Sequence, residues 1–135
     1  MTENNETLKD ETRSKLKALS KSFLRLHKTL LDGAKADYEA KNGQINGANH
    51  YLQLVIDDPH FAWLRKMSSL IALIDEATSL RRPATEAAAQ SLLAEAKTLL
   101  EFQDADENFN DKFQNALQST PDASVTHNDA LGLLK

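Results

Sequence analysis

Residues 16 to 30 read Leu16-Lys-Ala-Leu-Ser-Lys-Ser-Phe-Leu-Arg-Leu-His-Lys-Thr-Leu30, and this stretch decides the fold. Leu16, Leu19, Phe23, Leu26 and Leu30 recur at alternating spacings of three and four, which places all five on one face of a helix with 3.6 residues per turn. A second row, Leu24, Leu31 and Tyr38, runs beside the first, with His27 and Ala34 between them, so the apolar face is broad enough to touch two neighbours. The helix is predicted to stop at Asn42-Gly43, where glycine accepts the left-handed conformation that closes a helix.

Downstream the pattern stays helical. Asn46 can cap a short second helix with Leu52, Val55 and Ile56 facing inward, interrupted at Asp57-Asp58-Pro59. Proline is tolerated at a first helical position, and Asp58 can accept from the free amides of the new turn. From His60 to Leu80, Phe61, Trp63, Leu64, Met67, Leu70, Ile71, Leu73 and Ile74 leave only a narrow polar stripe, which predicts the central, most buried helix. After Arg81-Arg82-Pro83, Thr85 opens an Ala-rich helix with Ala88, Leu92, Ala96, Leu99 and Leu100 inward. Phe109, Phe113, Ala116 and Leu117 define a shorter final helix, which Pro121 is expected to end. The expected fold class is therefore all-α: an antiparallel bundle of four to five helices in a single domain spanning residues 1–135. Residues 1–7 are expected to fray, and residues 120–135 to form a tail that carries at most a short docked helix, with Thr126 and Asp129 as candidate caps.

Composition narrows the function classes. The chain has 135 residues, 41% hydrophobic and 27% charged, with only four Gly and three Pro, a mixture that supports one packed core. A formal charge of −4 argues against nucleic acid as a partner, because duplex binding needs a basic patch that displaces counterions. With no cysteine there are no disulfides, thiolate metal sites or cysteine nucleophiles, which fits a reducing, cytoplasmic setting. The polar start of the chain has no apolar signal-peptide core, and charges interrupt every apolar run well before the ~20 residues needed to cross a bilayer, so no membrane partner is expected.

The sequence holds fragments of metal-binding motifs and no complete one. A ferritin-like site needs Glu-x-x-His on facing helices, and no histidine here stands three residues after a glutamate. Asp57-x-x-His60 is the nearest fragment, and a helix restart at Pro59 explains it. Asp104, Asp106 and Asn108 match the first alternate positions of a calcium loop. Phe109 then stands where glycine is required and Asn115 where the closing glutamate belongs, so these residues read as an acidic helix cap. Gly-rich phosphate loops, nucleophile elbows and His-Glu-x-x-His are absent, and no metal or cofactor is expected. His27, set among Leu24, Leu31, Phe23 and Leu30, reads as a core histidine satisfied by one partner, or as a functional group if Tyr38 or Asp75 stands beside it. Phe61, Trp63 and Arg65 put aromatic and cationic groups into one turn, as contact hot spots do, although Trp63 also shares its row with core residues.

The residues His27-Lys28, Leu30-Leu31-Asp32, Tyr38-Glu39, Asp58-Pro59, Phe61-Ala62-Trp63-Leu64-Arg65, Leu70-Ile71 and Ile74-Asp75-Glu76 resemble an uncharacterised family of small bacterial all-helical proteins. The likeness runs from about Leu24 to Ala77 and centres on Asp-Pro-x-Phe-Ala-Trp-Leu-Arg. It implies a helical fold and no activity. His60 stands where that pattern commonly carries an aromatic residue, while His27, Asp32, Tyr38, Arg65 and Asp75 match it. Candidate ligand or partner contacts are therefore His27, Asp32, Tyr38, Trp63, Arg65 and Asp75. The leading expectation is a non-enzymatic interaction or assembly module that binds a protein partner or forms a homodimer through the Trp63/Arg65 helix or the Ala-rich helix. The alternative is a small-molecule-binding bundle, or an unrecognised enzyme, in which His27, Tyr38, Arg65 and Asp75 converge on a pocket.

Overall fold

A computed structural model describes residues 6–135. Among them the fold is all-α, with seven helices: α1 Asp10–Asn42, α2 Gly47–Asp57, α3 Pro59–Ala62, α4 Arg65–Ala77, α5 Glu86–Leu100, α6 Glu107–Ser119 and α7 Pro121–Leu133. Two differences from the expected pattern raise the number above five. The segment after Pro59 divides again at Trp63–Leu64, and the expected tail is a helix of 13 residues.

The organising element is α1 rather than the helix after Pro59. It contacts α3, α4, α5, α6 and α7, most extensively α7 and α4. Its seam of Leu16, Leu19, Phe23, Leu26 and Leu30 is at most 1% exposed. Each such side chain contributes about 1.5–3 kcal/mol by leaving water, so this stripe is a large part of what drives the fold. It closes at Gly43, whose φ of 88° is left-handed and whose N–H donates to the Glu39 carbonyl at 3.0 Å.

The helix breaks have local causes. Asp58, before proline, is extended, and its carboxylate accepts from the His60 N–H at 2.9 Å, which caps α3 behind Pro59. The break at Trp63–Leu64 is slighter. Both residues keep right-handed helical dihedrals, and the Leu64 N–H donates to Phe61 three residues back, a tightening of the coil rather than a change of direction.

Three inward faces differ from expectation. In α2, Leu52 and Ile56 face outward and no residue is buried. In α5 the inward set is Glu86, Ala89, Leu93, Ala96, Leu99 and Leu100, so the first half of the helix is rotated by one residue relative to the predicted Ala88 and Leu92. In α4, Leu73 is half exposed while Met67, Leu70, Ile71, Ile74 and Ala77 fill the core.

Both ends of the described chain are tied down. Glu6 and Thr7, placed in the stretch expected to fray, meet the start of α5: the Glu6 carbonyl accepts from the Glu86 N–H at 2.9 Å, and Thr7 bridges Thr85. Residues 1–5 of that stretch lie outside the described residues. Pro121, expected to end the regular pattern, instead opens α7, which buries Ala123, Thr126, His127 and Ala130. The turn before α7 comes close to α1 because residue 33 is glycine. A Cβ there would stand 2.7 Å from the Thr120 Oγ1.

Candidate functional site

The six candidate contacts fall into separate places. His27 of α1 and Arg65 of α4 share a cleft of about 310 Å³ with Leu31, Val55, Ile56 and Ser68. Arg65 reaches across its mouth to donate to the Ile56 carbonyl, pinning the end of α2. His27 is half-buried, and burial pushes its imidazole below the ordinary histidine range.

The other two members of the expected cluster are elsewhere. Tyr38 lies eleven residues further along α1, about 16 Å at the helical rise, where its ring tilts against His60 and Phe61. Asp75 accepts a hydrogen bond from Ser20, about 10 Å along α1 from His27 in the opposite direction. Four polar groups converging around His27 is thus not the arrangement adopted, and an acid–base pair at that imidazole has no second member from this set. The physical reason is that His27, Tyr38 and Asp75 occur at different heights along helices that run side by side.

Asp32 is exposed and pairs with Lys28 at 3.0 Å one turn away, a surface contact of small energetic weight. Trp63 is half-buried; its indole N–H donates to the His60 carbonyl at 3.1 Å and its ring packs on Phe109 at 5.9 Å between centroids. It therefore belongs mainly to the junction of α3 and α6. Asp104 and Asp106 are already engaged, Asp104 with Lys66 at 3.1 Å and Asp106 in capping the Phe109 N–H at 3.3 Å.

Three further polar features were not found from sequence. His127 is buried, its Nε2 2.8 Å from the Leu100 carbonyl and its ring between Phe102 and Phe113. This closes the end of α5, where Phe102 holds a φ of 60° that glycine usually occupies. Glu86 is the second. Its carboxylate accepts from Gln90 at 2.8 Å, from the Lys9 N–H at 2.9 Å and from Thr12 at 2.7 Å, which holds its pKa down to about 2. Glu86 stands on a helix whose expected inward face did not include it, and His127 lies in the stretch expected to be a tail, so neither carries a local sign.

The third is a polar cleft of about 310 Å³ between the second half of α1, α3 and α6. His60 closes one wall, its Nε2 2.8 Å from the Ala34 carbonyl and 3.5 Å from Asp37. Lys112 and Asn115 of α6 line the other. A fourth feature is apolar: an open groove of about 480 Å³ between α4 and the Ala-rich α5, walled by Leu73, Ala77, Ala88 and Leu92.

No helix among the described residues is long and apolar enough to cross a membrane, and no cluster of three metal-ligating side chains occurs among them. Compared with models of known protein families, with curated proteins and with solved structures, the chain matches none.

Proposed function

We propose that this chain is a non-enzymatic helical interaction module that assembles as a homodimer through the face built by α2 and the adjoining rows of α1 and α4. The observation that carries the reading is α2 itself. It has an amphipathic pattern, yet none of its residues is buried, and Leu52 and Ile56, one turn apart, are 58% and 47% exposed. Leu24, on the second row of α1, is also 58% exposed. Large apolar side chains left this exposed, two of them on a helix with no buried residue, favour a contact surface.

Its rim favours a second copy over a strongly charged partner. Exposed charges of both signs adjoin the apolar residues along the chain: Arg25 follows Leu24, Asp57 follows Ile56, and Arg65 and the Lys28–Asp32 pair lie on α4 and α1. A rim of mixed sign is self-complementary about a two-fold axis, where the basic edge of one protomer meets the acidic edge of the other. This reading takes the helices as an antiparallel bundle around α1 and places the protein in the cytoplasm, where a cysteine-free chain needs no oxidising compartment. Membership in the uncharacterised bacterial family with the Asp58-Pro59-x-Phe61-Ala62-Trp63-Leu64-Arg65 motif is part of the same proposal. In the alternative, a catalytic or ligand-binding cluster at His27, only Arg65 of the three expected partners shares its cleft.

The absence of cysteine makes a direct test simple. Gln53→Cys places the only thiol of the chain on exposed α2, and mild oxidation should convert it to a disulfide-linked dimer, while Glu95→Cys on α5 stays monomeric. Equal cross-linking at both positions would overturn the proposed face.

A further inference from the structure

The cleft between α1 and α6 is unusual in what faces what. On α1 the lining positions are Leu30, Gly33, Ala34, Asp37 and Lys41, and on α6 they are Lys112, Asn115, Ala116 and Ser119, each set spaced as one helix face. Two facing helix stripes in a small bundle ordinarily interdigitate apolar side chains. Here small residues, Gly33, Ala34 and Ala116, leave room, and polar ends surround the space instead.

The charges do not cancel. Asp37, the one acidic group lining the cleft, is held by Lys41 at 3.1 Å and approached by His60 at 3.5 Å. Lys112 makes no ion pair among the described residues, although it is half-buried. Neither the Asn115 amide nor the Thr120 hydroxyl, which offers no cap to α7, donates to a protein acceptor among those residues. In a chain of formal charge −4, one concave site therefore carries an unmatched cation with two donors beside it, over a floor that includes Leu30 and Trp63. Its volume is at the lower end of what small-ligand sites occupy.

We infer that this cleft binds a small organic anion, its carboxylate or phosphate head held by Lys112, Asn115 and Thr120 and its apolar body lying against Trp63. A charge-assisted contact to Lys112 anchors the anionic head, and the apolar floor selects an organic anion over an inorganic one. The site stands apart from the α2 face and does not depend on the assembly proposed for it.

The test follows backbone and side-chain N–H resonances during titration with phenyl phosphate, benzoate and inorganic phosphate. Trp63 is the only tryptophan, so its indole N–H is an unambiguous reporter. Saturable shifts of the Trp63 indole and the Asn115 amide are expected with at least one aryl anion, and the tighter of the two distinguishes a phosphate head from a carboxylate. Lys112→Met should weaken that binding about tenfold. Asn115→Asp, which adds a repelling charge without changing shape, should weaken it too, while Lys97→Met on α5 should leave it unchanged. Each variant is checked against the wild-type spectrum for intact folding. Failure of both aryl anions to saturate, tighter binding of inorganic phosphate than of either, or wild-type affinity in Lys112→Met would overturn the assignment.

Discussion

α1 and α2 are both amphipathic helices of the same chain, and they end in opposite circumstances. The α1 seam from Leu16 to Leu30 is almost wholly withdrawn from water, whereas α2 keeps Leu52 and Ile56 in it. The difference lies in the neighbours rather than in the pattern. Five other helices converge on α1, while α2 rests chiefly on the single turn of α3, fastened by Arg65 to the Ile56 carbonyl and by Tyr51 packed on Phe61 at 5.9 Å. Periodicity tells which side of a helix is apolar; the number of elements competing for that side decides whether it is covered.

The contrast can be broken at its strong end first. Phe23→Ala should destabilise the protein by about 3–5 kcal/mol, read from chemical unfolding, because a fully buried ring at the α1 seam leaves a cavity that helices on several sides cannot all close. A loss below 1 kcal/mol would mean that α1 is not the organising helix.

His127→Ala is next, at about 2–4 kcal/mol, combining a lost aromatic neighbour for Phe102 and Phe113 with a Leu100 carbonyl left without its partner. This tests whether α7 belongs to the core rather than to a loose tail, and a negligible change in the unfolding midpoint would contradict it.

Acid sharpens the comparison at the N-terminal junction. Glu86 has its pKa lowered from 4.5 to about 2 in the folded protein, so the folded state binds fewer protons there than the unfolded chain. The stabilisation is present in full above the unfolded value and is lost as pH falls from about 4.5 towards 2. Glu86→Gln should flatten the decline of thermal stability in that window, and an identical pH profile for both proteins would remove Glu86 from the latch.

The smallest effect belongs to α2. Leu52→Ser with Ile56→Ser should cost the isolated protomer only about 1–2 kcal/mol, since each side chain keeps about half of its surface in water on folding. A loss of several kcal/mol in dilute protein would show that these residues are packed within the protomer and end the contrast.

The legibility of the chain follows the same line. The α1 seam, the stop at Gly43 and the restart at Pro59 were readable because each depends on local sequence: a repeat, a left-handed residue, a missing N–H. The rotation of α5 was not, because Ala87, Ala88 and Ala89 give no phase of their own and the Glu86 latch to Lys9 and Thr12 sets it from 74 residues away or more. Pro121 was misread as a stop for a related reason. A proline marks an interruption without saying whether a helix follows, and α7 is held by α1, far away in sequence. The candidate site suffered most. Five of the six residues singled out lie on helices and Trp63 in the break between α3 and α4, but their heights depend on how the helices slide past one another. Only His27 and Arg65 meet in one cleft, and the polar cleft around Lys112 and Asn115 has no local motif at all.

The central claim, that the α2 face is a contact surface, is tested most directly by sedimentation equilibrium of the wild-type chain beside the Leu52→Ser/Ile56→Ser variant across micromolar to sub-millimolar concentrations. A wild-type dimer that the two substitutions convert to a folded monomer is the expected result. A wild-type monomer throughout that range, or a dimer of unchanged affinity in the variant, would contradict it.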